Sequence, residues 1–287
     1  MSLNDLSAAL AAIVAGRDDD ATHALRRVSG DGSIMARALL HALNDGATGG
    51  AYDEAAAFQT FIRAGGNVPL YASVGDTLAA VYDERRPATL LDIGTGDGMA
   101  LLPALAKASH PPADVTVVEP HPGLLASLTA RRPDVRAIAA TLEAFAASLT
   151  ENDRWDLAQS TFALQSVAPE ARREALRLLR PHVGELAIVE FDVPDLAWAS
   201  DEMSASLARR YERAASEYGA DAELVAGGFL APMLLGQIRA ARPSNWEQPI
   251  AAWIDELRDC GFVRIYVEHV HDYSWAPAML LSASSQA

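Results

Sequence analysis

The sequence predicts an α/β fold: a mostly parallel, seven-stranded sheet with helices on both faces, an N-terminal all-helical segment, and a helical insertion after the fifth strand. Three observations support this prediction. Apolar positions recur at helical spacing through residues 1–85. From Pro87 onwards, short apolar runs alternate with helical patterns, which is typical of parallel strands joined by crossover helices. The alternation then stops between residues 195 and 245, where the patterns are helical only.

The N-terminal segment is rich in alanine and leucine. Breaks at residues 16–20 and 29–32 divide residues 3–45 into two or three short helices. Further helices are predicted over residues 52–64 and 73–82, with a turn at Gly65-Gly66-Asn67 between them.

The remaining elements follow in order. Strands are predicted over residues 89–93, 115–119, 135–139, 155–159, 185–191, 262–269 and 278–282. Helices are predicted over residues 100–107, 123–130, 142–147, 169–179 and 248–258, and the insertion has two helical patterns, over 201–219 and 223–241. We therefore expect two domains, a helical segment over residues 1–85 and a ligand-binding domain over residues 86–287 that carries the insertion at about 195–245.

The composition excludes several classes of partner. The chain has 23 basic and 38 acidic residues, a net charge of −15, and no basic groove, so it would repel nucleic acid. No apolar run approaches the roughly 20 residues of a membrane-spanning helix, so no membrane partner is expected. Cys260 is the only cysteine, and Met1–Asp5 lack the basic start of a signal peptide. These features predict a cytoplasmic protein.

A glycine-rich turn follows the first predicted strand. Gly94, Gly96 and Gly98 allow the backbone to turn sharply and a ligand to approach it closely. A dinucleotide fingerprint needs its third glycine three residues after the second, and Met99 occupies that place. Asp92 adds a carboxylate suited to an ammonium group. The turn therefore predicts a nucleotide-like ligand with a cationic amino-acid tail, and not NAD.

The segment LLDIGTGDG, residues 90–98, resembles the first motif of class I S-adenosylmethionine-dependent methyltransferases of the small-molecule type, whose fold is Rossmann-like. In that family the acid and the glycines hold the methionine part of the cofactor. Glu119 stands where the family places the acid that binds both ribose hydroxyls. Thr141 and Leu142 stand where family members cover the adenine ring, although the family more often has an acid in place of Thr141. Ser160 ends the fourth strand, which faces cofactor and acceptor in the family.

The resemblance covers residues 87–194 and, more weakly, the two C-terminal strands. It implies S-adenosyl-L-methionine as the cofactor. We expect the N-terminal helical segment to act as a lid in which Arg63 or Tyr71 reaches the methionine carboxylate. Phe58 and Phe61 belong to the same segment. For these two aromatic residues, packing into a core is an equal alternative to a place in the lid. Related enzymes often dimerise through such a segment, so a homodimer is an open option.

The candidate catalytic residues are His269 and His271, which follow or end the sixth strand. They alternate with Val270, so in an extended chain both would face one side and one of them would act as a base or hydrogen-bond partner. A solvated hairpin and a metal-ligand pair are the alternatives, the latter lacking a third ligand, so no metal is expected. The other candidate bases are His121, His182, Glu190 and Asp192.

The expected function is O-methylation of a small, largely apolar metabolite, as in natural-product biosynthesis. Gln165 stands where many relatives carry a histidine and cannot act as a base, which keeps carbon and nitrogen acceptors open. A mixed aromatic and thioether lining for the acceptor would come from the insertion, from Trp198, Met203, Tyr211, Tyr218, Phe229 and Met233. A non-methylating reaction and a cofactor-sensing module are the alternatives to methyl transfer.

Overall fold

A computed structural model describes residues 3–44, 54–239 and 245–286. Backbone contacts divide these residues into two compact units. The first unit comprises the described residues within Met1–Pro69, Asp195–Ser244 and Tyr273–Ala276, and the second those within Leu70–Pro194, Asn245–Asp272 and Pro277–Ala287. These units differ from the expected division at residue 85, since the second unit begins at Leu70 and the described part of the insertion groups with the N-terminal helices.

The regular elements in the described part of the first unit are all helices. Its helices are α1 (Leu3–Val14), α2 (Asp18–Ser29), α3 (Ile34–Asn44), α4 (Ala55–Arg63), α10 (Asp201–Ser216), α11 (Ala222–Val225) and α12 (Ala231–Arg239), with a π-helix at Ala226–Leu230 between the last two. The helices are separated at the two breaks that the sequence predicted. At the first of these breaks, Gly16 has a positive φ and lies between α1 and α2. Three helices therefore form before residue 45, and the insertion contains the predicted helices up to Arg239, while residues 240 and 241 of the second predicted pattern lie outside the described residues.

One apolar core joins the N-terminal helices to the insertion within the first unit. Leu10, Met35 and Leu39 from the N-terminal helices are fully buried in the same cluster as Leu207 and Leu234 from the insertion. Helices that each bury one apolar face against the others are stable only together. This shared core explains why the two sequence-distant segments form one unit.

The second unit contains one seven-stranded sheet in the order β3-β2-β1-β4-β5-β7-β6. The strands are β1 (Thr89–Ile93), β2 (Asp114–Val118), β3 (Arg136–Ile138), β4 (Trp155–Thr161), β5 (Val183–Phe191), β6 (Val263–Asp272) and β7 (Pro277–Ser284). The helices are α5 (Asn67–Arg85, whose first turn belongs to the first unit), α6 (Leu101–Lys107), α7 (Pro122–Arg131), α8 (Leu142–Ser148), α9 (Pro169–Leu179) and α13 (Ile250–Asp259). Strands β1 to β5 are parallel, and β7 is antiparallel to both β5 and β6. The predicted fold class is confirmed.

Two elements differ from their predicted bounds in a way that affects the site. Helix α5 begins at Asn67 and not at residue 73, because Asn67 is held by side-chain hydrogen bonds to Tyr218 and Tyr273 in the first unit. Strand β6 continues to Asp272 and not to residue 269, and its pairing with β7 shifts register between His269 and His271. None of the described helices is long and apolar enough to cross a membrane.

Candidate cofactor and acceptor site

The candidate cofactor residues meet at the carboxyl ends of the central strands of the second unit. Strand β1 pairs with β2 on one side and β4 on the other, so the chain leaves β1 in one direction and later returns to its opposite side. Ligands bind parallel α/β sheets at such a switch point, beyond the carboxyl ends of the strands. Asp92, Glu119 and Ser160 all lie at this edge, as the sequence predicted.

Glycine is needed at the three positions of the turn after β1 for different structural reasons. All have positive φ, 68° at Gly94, 57° at Gly96 and 88° at Gly98, a region that residues with a Cβ rarely adopt. A Cβ added at Gly94 would lie 2.3 Å from the Cβ of Ala163, and one at Gly98 would lie 2.9 Å from the Cγ of Leu102. A Cβ at Gly96 would meet no atom within 4 Å. Gly94 and Gly98 therefore permit packing, and Gly96 exposes backbone to a ligand.

Asp92 is a buried carboxyl group at the end of β1. Its Oδ1 accepts a hydrogen bond of 3.1 Å from Nε2 of Gln159, whose Oε1 accepts one of 2.6 Å from the hydroxyl of Tyr82. Burial raises the pKa of Asp92 to about 6, the Gln159 hydrogen bond lowers it, and the charge of Glu119 raises it. A buried carboxylate of this kind gains most from a cationic partner.

Glu119 directly follows β2 and connects it to the glycine turn. Its Oε2 accepts from the backbone N–H of Gly96 at 2.9 Å, and its Oε1 accepts from the backbone N–H of His121 at 2.9 Å. Each carboxylate oxygen has a second lone pair, so both can still accept a hydroxyl hydrogen. Glu119 thus holds the most open point of the turn and keeps the capacity to bind a diol.

Thr141, Leu142 and Ser160 lie at the same edge, but their side chains have structural partners. The hydroxyl of Thr141 caps α8 by accepting from the N–H of Ala144 at 3.3 Å. The Leu142 side chain is buried in the apolar core beneath the sheet. Ser160 is buried, and its Oγ donates to the carbonyl of Ile93 at 3.0 Å, which ties β4 to β1. Any contact of Leu142 with a cofactor is therefore a backbone contact.

The two predicted carboxylate-binding residues fall in different units. Tyr71 lies on α5 in the second unit, with its ring edge-on to Phe162 at 6.1 Å between centroids. Burial, reinforced by the charge of Asp97, raises the pKa of Tyr71 to about 12. Arg63 is an exposed residue at the end of α4 in the first unit. Its role toward the cofactor stays a prediction.

The structure overturns the expectation that His269 and His271 face the same side. His269 pairs with Met279 and His271 with Ala278, which are consecutive residues of β7. Consecutive strand residues point to opposite faces, so the β-bulge places the two histidines on opposite faces. The Nε2 of His269 is 3.0 Å from Oδ1 of Asp272, whereas the Nδ1 of His271 is 3.2 Å from Oγ of Ser73 on α5.

These placements leave His271 as the stronger of the two catalytic candidates. His269 is exposed on the edge strand, and its nearest polar partner is the exposed Asp272. His271 is partly buried and stands in register with Ala278 and Phe191 at the carboxyl edge of the sheet. Across the described ranges there is no group of three or more His, Cys, Asp or Glu residues that could hold a metal ion.

The other candidate bases have mostly structural roles. His121 caps α7, with Nδ1 accepting from the N–H of Leu124 at 3.4 Å. His182 lies just before β5, at the amino edge of the sheet, where its Nδ1 is 2.9 Å from the carbonyl oxygen of Asp153. Asp192 accepts from the N–H of Ile250 at 2.8 Å and so anchors the start of α13. Only Glu190 stands apart from these.

Glu190 and Gln165 form a buried polar pair near the ends of β5 and β4. Oε1 of Glu190 accepts from the backbone N–H of Gln165 at 3.3 Å. Burial raises the pKa of Glu190 to about 8, partly offset by that hydrogen bond, and the charge of Glu247 adds to the rise. Within the described residues, Oε2 of Glu190 and Oε1 of Gln165 are buried without a hydrogen-bond partner. Buried acceptors of this kind are uncommon and call for a donor.

A stacked aromatic pair at the same edge was not predicted from the sequence. Phe162, which follows β4 and has a positive φ of 50°, stacks on Phe191 with centroids 4.2 Å apart and planes 9° apart. The Phe162 N–H donates to the carbonyl of Val189 at 2.9 Å, which fixes the turned backbone. Only the tertiary pairing of Phe162 with Phe191 shows this flat apolar surface.

A groove of about 540 Å³ lies at the opposite edge of the sheet. It is lined by the amino ends of β4 and β5, by Arg85 and Arg86 at the end of α5, and by Arg264. The candidate site residues are not part of it. The groove therefore does not serve the chemistry at the carboxyl edge.

Comparison with known proteins identifies the fold. Neither a protein-family model nor a curated protein sequence matches the chain. Among solved structures, the mitomycin 7-O-methyltransferase MmcR matches 93% of this chain and 71% of its own, with a TM-score of 0.52 and 16% identity. A protein of Nostoc punctiforme PCC 73102, provisionally described as an O-methyltransferase, matches 88% of this chain and 69% of its own, with a TM-score of 0.51 and 14% identity.

A third match covers a smaller share of the matched protein. The chain spans 54% of the length of human N-acetylserotonin methyltransferase, solved in complex with S-adenosylmethionine, at 12% identity and a TM-score of 0.48. The likenesses to MmcR and to the Nostoc protein, both with TM-scores above 0.5, show that the chain has the class I S-adenosylmethionine-dependent methyltransferase fold, with its Rossmann-like sheet.

Proposed function

We propose that the protein is an S-adenosylmethionine-dependent methyltransferase that methylates a small, largely apolar metabolite, with oxygen as the first acceptor atom to test. One observation carries this proposal. The open glycine, Gly96, lies in the turn that follows the buried carboxyl of Asp92, and the carboxylate of Glu119 binds the Gly96 N–H directly. Such a cradle fits a ligand that has an ammonium group at one end and a ribose diol at the other.

The residues of the cradle would each hold one part of the cofactor. Asp92 would bind the ammonium group of the methionine tail, Gly96 would let the backbone approach it closely, and Glu119 would bind the ribose hydroxyls. Thr141 and the backbone of Leu142 would cover the adenine, with Ser160 holding β4 in place. Arg63 and Tyr71 are the proposed partners of the methionine carboxylate. The bound cofactor supplies a methyl group on a positively charged sulfur, so the protein has mainly to align the acceptor and exclude water.

The acceptor side offers an apolar surface and only weak bases. Phe162 and Phe191 present stacked rings suited to a flat substrate. Gln165 cannot take a proton, and Glu190, with its pKa raised to about 8, is largely protonated near neutral pH. His271 is the remaining candidate for a base. An acidic hydroxyl, or a carbon or nitrogen that is already nucleophilic, therefore suits this site better than an ordinary alcohol.

The proposal is tested by binding and then by transfer. Titration calorimetry with S-adenosylmethionine and S-adenosylhomocysteine should show binding that is about tenfold or more weaker in Asp92→Asn and Glu119→Gln. Transfer from methyl-labelled cofactor is then measured on a panel of phenols, aromatic amines and activated carbon acids. Absence of binding by the unaltered protein would refute the proposal. Binding without transfer to any acceptor class would favour the non-methylating or cofactor-sensing alternative.

We further propose a cytoplasmic protein that binds no nucleic acid and forms homodimers through its N-terminal helices. The net charge of −15 supports the second point, because it opposes binding to a phosphate backbone. A gel shift at low salt tests nucleic-acid binding, and light scattering after size exclusion tests the oligomeric state.

A further inference from the structure

We infer that Tyr82 and Gln159 are positioning residues that hold the Asp92 carboxylate for the ammonium group of the cofactor. This inference rests on the proposed function. It is carried by a chain of hydrogen bonds that runs from α5 through β4 to the end of β1, entirely within the second unit.

The chain of hydrogen bonds is buried along its whole length. Tyr82 and Gln159 are 0% exposed and Asp92 is 4% exposed. The Tyr82 hydroxyl donates to Oε1 of Gln159 at 2.6 Å, and Nε2 of Gln159 donates to Oδ1 of Asp92 at 3.1 Å. Gln159 pairs directly with Asp92 across the parallel strands, so the backbone itself places the amide beside the carboxyl.

The direction of the hydrogen bonds is what gives the chain a function. An amide side chain can present either its oxygen or its NH₂ group to a neighbour. The Tyr82 hydroxyl has a hydrogen to donate, so it favours the orientation in which the amide oxygen faces Tyr82 and the NH₂ group faces Asp92. In the reversed orientation the amide oxygen would face the carboxylate, and two acceptors would repel. Tyr82 therefore satisfies the amide oxygen in the orientation that stabilises the ionised carboxylate.

The ionised form needs this support because of what surrounds it. The ionisable groups facing Asp92 are Glu119, whose charge raises the Asp92 pKa, and Tyr82 itself, whose own pKa burial raises well above its usual value. Neither supplies a positive charge. Two side chains, Thr95 and Gln159, oppose the effect of burial on the Asp92 pKa, and the Gln159 NH₂ group donates directly to Oδ1 of the carboxylate.

Core stability alone would not require this chain of hydrogen bonds. Three apolar side chains of similar size would pack at this position without the cost of burying polar groups, which is substantial even when they are hydrogen-bonded. A polar chain that ends on the carboxylate at the mouth of the glycine turn is better explained by ligand binding than by stability.

The test compares two ligands that differ only by the amino-acid tail. S-Adenosylhomocysteine carries the ammonium group, whereas 5′-methylthioadenosine keeps the adenosine and the sulfur and lacks the tail. Calorimetry measures both dissociation constants for the unaltered full chain, for Tyr82→Phe, which removes one hydroxyl, and for Gln159→Leu. Tyr266→Phe is the control, because that tyrosine is 66% exposed on the edge strand β6.

We expect Tyr82→Phe to weaken S-adenosylhomocysteine binding about 3- to 10-fold and Gln159→Leu by about 10-fold or more, since hydrogen bonds to charged groups are the strong ones. Binding of 5′-methylthioadenosine should change by less than about twofold. The pH at which S-adenosylhomocysteine binding is half lost should rise in Tyr82→Phe. Tyr266→Phe should match the unaltered protein for both ligands.

Three outcomes would overturn the inference. Equal weakening of both ligands would indicate a merely structural role, and unchanged S-adenosylhomocysteine binding in both variants would indicate no role. If the unaltered protein bound neither ligand, the proposed function itself would fail and the inference with it. If the unaltered protein bound both ligands and the variants did not discriminate between them, only the inference would fail.

Discussion

Asp92 and Glu119 lie at the carboxyl ends of neighbouring strands, yet their carboxyl groups have different surroundings. Glu119 accepts two backbone N–H groups of the loops it connects, which satisfies one lone pair on each oxygen. Asp92 is likewise buried, and the side chains of Thr95 and Gln159 lower its pKa, with the Gln159 amide donating to Oδ1 at 3.1 Å. The first arrangement suits a neutral diol and the second a cation, so the two residues divide the recognition of one ligand between them.

The buried state of Asp92 predicts a pH dependence of cofactor binding. Its pKa is raised to about 6, so the carboxyl is mostly neutral below that pH and mostly ionised above it. Since the ammonium group needs the ionised form, the affinity for S-adenosylhomocysteine should rise as the pH increases from 5 to 7 and change little above. Calorimetry across this range measures the effect.

Asp92→Asn provides the matched comparison for that prediction. The amide keeps the shape of the side chain and removes the ionisation, so its binding should be about tenfold or more weaker at pH 7.5 and lack the rise between pH 5 and 7. The control is Asp76→Asn on α5, where Asp76 forms an exposed ion pair with Lys107. This variant should retain the normal profile. A flat profile in the unaltered protein would contradict the assignment of Asp92 to the ammonium group.

Glu190 predicts a pH dependence of stability with the opposite character. Burial raises its pKa in the folded protein to about 8, from an ordinary value of 4.5. Between these two values the folded state holds a proton that the unfolded state has lost, so stability is greatest below pH 4.5 and is lost as the pH rises through 8. The contribution is about 1.4 kcal/mol for each pH unit across that window.

Glu190→Gln should remove this dependence, because an amide is neutral at every pH. We expect thermal unfolding of the variant to fall less steeply with pH between about 5 and 8 than that of the unaltered protein. Glu268→Gln, an exposed glutamate on β6, is the control and should leave the slope unchanged. The same slope in Glu190→Gln and the unaltered protein would show that Glu190 ionises normally in the fold.

At the scale of the element, the glycine turn must pack against its neighbours and must also leave room for a ligand. Substitutions at different glycines can separate these two requirements. An alanine at either Gly96 or Gly98 must adopt a positive φ, which costs about 1 kcal/mol. At Gly98 the new Cβ would also clash with Leu102 and Leu128, at 2.9 and 3.1 Å, which adds about 1 to 3 kcal/mol. Gly98→Ala should therefore lower the free energy of unfolding more than Gly96→Ala.

Ligand binding should follow the reverse order. The Gly96 Cβ meets no protein atom, so it would project where we place the cofactor, and Gly96→Ala should weaken S-adenosylhomocysteine binding the more strongly of the two variants. Chemical denaturation and calorimetry on the same two proteins measure both effects. If Gly98→Ala impaired binding more than Gly96→Ala while both remained folded, the cradle would be wrongly placed.

Local patterns account for how much of the element scale could be predicted. The glycine turn and strands β1 and β5 depend on residues close in the chain, so their positions followed from spacing and alternation. The faces on which His269 and His271 lie could not be predicted in this way. Strict alternation along a strand assumes that there is no β-bulge, and the bulge here depends on the pairing with β7. The start of α5 was missed for a similar reason, since the bonds that hold Asn67 come from Tyr218 and Tyr273, more than a hundred residues away.

At the scale of the whole molecule, the chain is organised by contacts that its linear order conceals. The sequence separates an N-terminal helical segment from an insertion after β5, and each pattern was identified correctly as helical. Neither pattern indicates that their apolar faces form one core, because amphipathic helices show which face is buried and not against what. The same limit applies to Glu190 and Gln165, whose pairing is visible only once β4 and β5 are adjacent.

Glu212 of α10 is the polar counterpart of that shared core. Its carboxylate accepts from the Ser33 hydroxyl at 2.7 Å and from the backbone N–H groups of Ile34 and Met35 at 2.9 and 3.1 Å. These N–H groups belong to the start of α3, where a helix has no internal partners for its first donors and favours negative charge. A buried residue of the insertion thus caps a helix of the N-terminal segment.

Glu212→Ala should destabilise the protein by about 3 kcal/mol, because it leaves three buried donors without a partner. Glu223→Ala is the matched control, since Glu223 also joins the insertion to α3, through Arg37, but does so at the surface with 61% of its side chain exposed. That variant should lose no more than about 1 kcal/mol. Chemical denaturation of both proteins decides the matter. A loss in Glu212→Ala no larger than in Glu223→Ala would mean that apolar packing alone unites the two segments.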